Sequence, residues 1–171
     1  MVQIGNFHLG GAETAKAPLL DSAEAFLLWD HLLSRYDAIE KTQLYQNFAH
    51  DPDLKLLLKK GLSATLEKQV NALETEMNTF GLPMPSRPPK SVRIETNSGV
   101  FEDRFIFKEV FTGIQNFLDN HIRTIRSFVT NDQLRKMFID FAKEELDLFD
   151  KFVKYGKLKG WLQTPPLLYT S

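Results

Sequence analysis

The sequence predicts an all-α fold, a four-helix bundle in which a long Pro-rich connection joins the second and third helices. Three observations point to it. Four segments of roughly 25–28 residues carry apolar side chains at helical spacing. Capping and helix-breaking residues punctuate them at His50-Asp51-Pro52, Gly81 and Thr130-Asn131. Between the second and third segments lie Pro83, Pro85, Pro88 and Pro89, a density that favours extended polyproline geometry over helix. Rods of equal length, each about 40 Å at 1.5 Å per residue, pack most economically side by side.

Residues 1–20 contain Gly5, Gly10, Gly11 and Pro18 with little periodicity and read as an arm. Asp21 caps the first helix and Glu24, three residues on, completes an acidic relative of the capping box. Apolar residues recur at 25, 28, 29, 32, 33, 36 and 39, and no Pro or Gly interrupts the run from Glu24 to Ala49. Asp51 caps the second helix, with Pro52 at the first helical position, where its missing N–H costs nothing. Leu54, Leu58, Leu62, Leu66, Val70, Leu73, Met77 and Phe80 form its stripe, and Gly81 ends it. Residues 82–101 form the connection, within which Val92-Arg93-Ile94-Glu95-Thr96 alternates like a short strand. The third helix spans about Glu102 to Val129 with the stripe Phe107, Phe111, Ile114, Leu118, His121, Ile125, Phe128. Thr130 followed by Gln133 reads as the capping box of the fourth helix, whose stripe is Leu134, Phe138, Phe141, Glu145, Leu148, Phe152, Tyr155. Gly156 and Gly160 weaken its end. Residues 158–171, with Trp161 and Pro165-Pro166, form a tail that folds back on the bundle end in preference to docking into a neighbouring subunit.

The connection length sets the topology. An antiparallel pair needs only about 2–8 connecting residues, whereas about 20 extended residues reach roughly 60 Å, enough to run the full length of a bundle. The second and third helices are therefore expected to run parallel, the one-crossover arrangement of ferritin-like bundles.

Bulk properties narrow the function. A chain of 171 residues fits one domain, residues 1–171, and 43% hydrophobic with 25% charged residues is ordinary for a globular protein. The 14 Phe favour a core of large flat rings. A formal charge of −1 without long runs of like charge argues against nucleic-acid binding and polybasic membrane contact. Zero Cys excludes disulfides, thiolate metal sites and cysteine nucleophiles. No secretory signal, myristoylation glycine or membrane-length apolar run is visible, so cytoplasmic synthesis is expected.

A crossover bundle raises the question of a di-metal centre, which needs Glu-x-x-His on two helices so that one turn aims both ligands inward. Three residues before His8, His31, His50 and His121 stand Gly5, Leu28, Asn47 and Leu118, so the motif is absent. Other polar residues fall on core stripes: Tyr36 and Glu40 on the first helix, followed by Gln43 and Asn47; Gln69 on the second; His121 on the third; Glu145 on the fourth. Counting from the turns places His121 and Glu145 roughly 8 Å apart along the axis, too far to chelate one ion directly. The layer reads first as buried polar groups satisfying one another, and alternatively as a degenerate metal site of Tyr36, Glu40, His121 and Glu145. Without a cationic partner, a buried Glu145 would have a raised pKa. No Gly-x-Ser-x-Gly, phosphate loop, Gly-x-Gly-x-x-Gly or His-Glu-x-x-His motif occurs in the sequence, and no catalytic residue is expected.

Asp21-Ser22-Ala23-Glu24 leading into Leu28-Trp29 resembles the opening of a ferritin-like family from spore-forming bacilli related to spore coat protein F. Gly81-Leu82-Pro83-Met84-Pro85, Phe101-Glu102-Asp103-Arg104-Phe105 and Lys159-Gly160-Trp161-Leu162 with Pro165-Pro166 are similar to that family's helix exit, helix entry and ending. The likeness covers nearly the whole chain, although Ser86–Thr96 departs from the family's usual linker. It implies a ferritin-like bundle associated with sporulation or the spore coat, acting by protein–protein packing without catalysis or cofactor. Expected partners are further copies of the chain or other coat proteins, with deposition on the spore coat. The alternative is a bundle that binds a metal ion or small ligand. A carrier of apolar ligands between Phe-rich helices is a third possibility.

Overall fold

In the computed structural model of the chain, residues 2–4, 7–9, 20–89, 91, 101–163 and 165 are described. They form a four-helix bundle, preceded by a short antiparallel pair, β1 (Val2–Ile4) and β2 (Phe7–Leu9), in the register Val2↔Leu9, Gln3↔His8, Ile4↔Phe7. The sequence reading had only an arm there. Val2, Ile4, Phe7 and Leu9 are strand-favouring residues, but each run is too short to show periodicity.

Helix α1 (Ser22–Phe48) begins with the expected capping box: the Asp21 carboxylate accepts from the Glu24 N–H at 2.8 Å and Glu24 accepts from the Asp21 N–H at 3.3 Å. The second rod is not one regular helix. Helix α2 (Pro52–Gly61) passes through a π-helical turn (Leu62–Leu66) into α3 (Glu67–Thr79), with the Glu67 N–H reaching back to the Leu62 carbonyl. Helix α4 spans Asp103–Ser127 and α5 spans Asp132–Lys159. Gly81 (φ +64°) and Gly160 (φ +67°) close α3 and α5 in left-handed geometry. In both, the next residue's N–H returns to a carbonyl five positions back, Leu82 to Met77 and Trp161 to Gly156, each at 2.9 Å. The cap of α5 is Asn131, accepting from the Leu134 N–H at 2.9 Å, and not Thr130. Thr130 Oγ1 donates instead to Glu24 Oε1 at 2.7 Å, a tertiary bond that outcompetes the local cap.

Polar contacts at the two ends fix the direction of each helix. At the upper end, the Asp103 carboxylate accepts from the N–H groups of His50 (2.7 Å) and Asp51 (2.9 Å), and Asp51 accepts from Lys159 Nζ (2.6 Å). At the lower end, Thr130 meets Glu24 and Gln133 Nε2 meets Glu76 Oε1 at 3.3 Å. Helices α2, α3 and α4 therefore all run downward, between upward-running α1 and α5. Phe80 leaves the lower end and Phe101 re-enters at the upper end. The strand-like expectation for 92–96 and the route of 92–100 lie outside the described residues.

The core divides in two. A lower cluster holds Leu28, Leu32, Val70, Leu73, Phe128 and Phe138; an upper cluster holds Leu54, Leu58, Ile106, Phe107, Ile114 and Phe152. Each fully buried Leu or Phe contributes about 1.5–3 kcal/mol, whereas exposed pairs such as Lys136–Asp140 and Lys154–Asp150 contribute at most about 1 kcal/mol. The apolar clusters hold the bundle together. Gly156 belongs to the upper one: a Cβ there would lie 2.3 Å from Phe107 Cζ. Trp161 folds back onto Phe107 and Tyr155, with ring centroids 5.9 and 5.6 Å away.

Candidate functional site

On α4 and α5 the two apolar clusters are separated by a charged layer. His31 and Arg35 stand one turn apart on α1, and Phe117 and His121 one turn apart on α4, so each pair projects from one face. Glu145 comes from α5 and Gln69 from α3. The charged and polar members do not reach solvent: Arg35, Gln69 and His121 are 0% exposed, His31 1% and Glu145 2%.

Arg35 organises the layer. Its Nη2 donates to Glu145 Oε2 at 2.7 Å and to His121 Nε2 at 2.8 Å, and its guanidinium carbon lies 3.7 Å from the centre of the Phe117 ring. A guanidinium has only donors, so His121 Nε2 accepts and its proton sits on Nδ1. The His31 ring stacks at a tilt on His121, centroids 4.8 Å apart, with Nδ1 3.4 Å from Asn120 Nδ2. Among the described residues, Arg35 Nε and Nη1 and His31 Nε2 have no hydrogen-bond partner.

The charges follow from this geometry. Burial pushes the Glu145 carboxyl up, but the Arg35 charge and its hydrogen bond outweigh it and hold the pKa below the ordinary carboxylate value. Glu145 thus has the cationic partner that the sequence did not reveal. Burial, then the charges of Arg35 and His121, hold His31 well below its ordinary pKa. Burial also lowers His121, with Arg35 adding to the effect and Glu145 opposing it. The layer holds one cation, one anion and two neutral imidazoles.

Of the residues expected to form a site, the fold brings His121 and Glu145 together and leaves the other two apart. His121 Nε2 and Glu145 Oε2 are 3.6 Å apart, closer than the rise counted from the turns suggests. Side chains tilt toward the N-terminus of their own helix. In the antiparallel α4–α5 pair, His121 tilts up and Glu145 tilts down, and the two converge. Tyr36 is buried but donates to Glu74 Oε1 on α3 at 2.6 Å; burial and Glu74 both raise its pKa. Glu40 is exposed. The buried face of α1 runs through Leu28, His31, Leu32, Arg35, Ile39 and Thr42, rotated from the Trp29–Leu33–Tyr36–Glu40 line. Among the described residues, no group of three or more His, Cys, Asp or Glu side chains could hold a metal ion. Arg35 places a fixed positive charge between the two donors that stand closest.

Helices α1 and α4 leave a groove of about 710 Å³ beside this layer. Its upper half carries the apolar side chains Tyr45, Leu57, Leu58, Ile114, Leu148 and Phe152, with Lys41, Thr42 and Glu109 also on its wall; its lower half presents Ser34, Asn116 and Asn120 beside Arg35, Phe117 and Glu145.

Known proteins share this architecture. A crystal structure of a "putative spore coat protein" from Bacillus halodurans C-125 superposes with a TM-score of 0.81 at 25% identity, covering 88% of this chain and 96% of that one. The ferritin-like fold recurs in a two-domain Anabaena variabilis protein containing DJ-1/ThiJ/PfpI-like and ferritin-like domains. There the TM-score is 0.68 at 14% identity, over 97% of this chain and 48% of that one. "Uncharacterized protein YvdQ" of Bacillus subtilis (strain 168) is 22% identical over 147 residues, 84% of this chain and 86% of that protein. The family described as "Protein of unknown function (DUF3231)" matches residues 10–171. By that match over most of its length, the chain belongs to the DUF3231 family.

Proposed function

We propose that this protein is a non-enzymatic bundle of the spore coat or of sporulation, acting by packing against copies of itself or other coat proteins after synthesis in the cytoplasm. The observation that carries the reading is the likeness to the Bacillus halodurans protein over 88% of the chain. Two features of the fold support it. Glu145 and His121 are both committed to Arg35, because one guanidinium nitrogen holds the two of them. Apolar side chains are exposed at both ends of the bundle: Val129 (72%), Phe26 and Ile122 at the lower end, Leu158 (80%) at the upper.

Light scattering on the purified chain, with Ile122→Asp/Val129→Asp as the comparison, tests the packing. A fluorescent fusion in a sporulating host tests the location. The reading expects a concentration-dependent oligomer weakened by the double substitution, and fluorescence gathering at the forespore. A chain that stays monomeric at every concentration, with diffuse fluorescence throughout sporulation, would overturn it.

A further inference from the structure

The groove between α1 and α4 is not needed for packing, and its chemistry is graded along its length. We propose that it binds a small amphipathic molecule with an apolar body and an uncharged head that both accepts and donates hydrogen bonds, such as a primary amide. This goes beyond the coat role and does not depend on it.

The space itself is the first observation. Gly113 lies mid-helix on the groove wall, and a Cβ built there meets nothing within 4 Å. A glycine weakens a helix interior, and here no neighbour demands one. Its effect is to leave the groove wide. Ala38 on α1 and Gly61 at the junction with the π-helical turn also line it with little bulk. The volume of about 710 Å³ suits a small molecule.

The second observation is the floor. Arg35 lines the groove, is fully buried, and has two nitrogens, Nε and Nη1, whose N–H groups find no partner among the described residues. A buried donor left unpaired is costly, and a ligand oxygen would relieve that cost. The half-buried Phe117 ring lies over the guanidinium, so a head group reaches Arg35 by displacing one side chain.

Charge selects the head. Arg35 and Glu145 neutralise each other, and together they offer donors beside a carboxylate. The remaining groove lining carries four carboxylates (Asp30, Asp37, Glu109, Asp119) against two cations (Lys41, Arg123). A carboxylate head would meet Glu145 and this acidic lining; an ammonium head would meet Arg35. An amide offers its carbonyl to Arg35 and its N–H to Glu145 without adding a charge. The apolar side chains of the upper half, from Tyr45 and Leu57 to Phe152, take the body of the molecule.

Calorimetric titration with octanamide, octanoate and octylammonium, three probes of equal chain length used below micelle formation, tests the assignment. Octanamide is expected to bind one per chain and the charged probes at least about tenfold more weakly. Gly113→Phe fills the groove and should abolish binding while melting no lower than the wild type. Phe117→Leu removes the covering ring and should bind at least as tightly. The proposal falls if octanamide gives no heat, if octanoate or octylammonium binds best, or if Gly113→Phe binds unchanged. It falls equally if Gly113→Phe melts well below the wild type, because the protein itself then fills that space.

Discussion

Replacing Glu145 by Leu is the sharpest perturbation of this bundle, because it strands a positive charge. In the native chain Arg35 Nη2 reaches Glu145 Oε2 at 2.7 Å, and the two side chains are 1% and 2% exposed. Without the carboxylate, the guanidinium has only the neutral His121 nitrogen and the Phe117 face to offset its lost hydration. Breaking a buried pair in this way costs about 3–5 kcal/mol, out of a total stability of about 5–15 kcal/mol for a typical domain. At about 2–4 °C per kcal/mol for a chain of this size, the melting temperature falls by roughly 6–20 °C. Arg35→Met/Glu145→Leu removes both charges and their desolvation cost. It should return to within about 1 kcal/mol of the wild type or exceed it. Urea denaturation followed by far-UV circular dichroism, on both single variants and the double, closes a mutant cycle. If Glu145→Leu alone is as stable as the wild type, Arg35 is not buried as described. If the double variant is as unstable as the single, the cost lies in packing and not in the stranded charge.

Stability should also fall on the acid side. His31 and His121 are neutral in the fold, with pKa values held below 6.5 first by burial. Unfolded imidazoles therefore bind protons first, and stability present above about pH 6.5 is lost as pH falls toward the folded values, by up to about 1.4 kcal/mol per pH unit for each histidine. Glu145, also lowered in the fold, acts in the same direction at lower pH; a urea midpoint that is flat from about pH 7 to 5 would contradict the buried neutral pair. Two glycines should respond oppositely to alanine. Gly156→Ala drives a Cβ to 2.3 Å from Phe107 Cζ and should cost about 1–3 kcal/mol, whereas Gly113→Ala meets nothing and should gain about 0.5–1 kcal/mol from helix propensity. Thermal melts of the two variants read the difference, and matching signs would refute it.

The bundle was legible because local and global signals agree. Asp21 with Glu24, Asp51 with Pro52, and Gly81 each carry their helix boundary in their own chemistry, and the α5 stripe from Leu134 to Tyr155 is buried except for half-buried Leu148. What stayed hidden depends on partners distant in sequence. The cap of α5 shifted by one residue because Glu24, 106 positions away, captures Thr130. The π-helical turn lets one rod serve two clusters, Leu54 and Leu58 above, Leu66 to Met77 below, and apolar spacing alone does not reveal an extra residue in a turn. Arg35 was missed because arginine reads as surface. A signal did exist: it falls between Leu32 and Ile39 on the face shared by Leu28 and His31. Only an acid on another helix makes that position tenable, and spacing along the chain does not connect Arg35 with Glu145.

Arg35 also sets this charged layer apart from the di-metal pattern. In the di-metal pattern, carboxylates and imidazoles converge and a cation from solution offsets their charge. Here α4 and α5 still bring an imidazole and a carboxylate within 3.6 Å, but the offsetting cation is covalent, supplied by α1. One nitrogen satisfies both groups only when α1 stands at one height against the α4–α5 pair, since a step of one helical turn moves Arg35 by about 5.4 Å. The charged layer therefore ties the register of three helices together, where two apolar clusters alone would tolerate sliding. The same commitment leaves Arg35 Nε and Nη1 unpaired beneath the groove, so the device that fixes the register also equips the groove floor for a ligand.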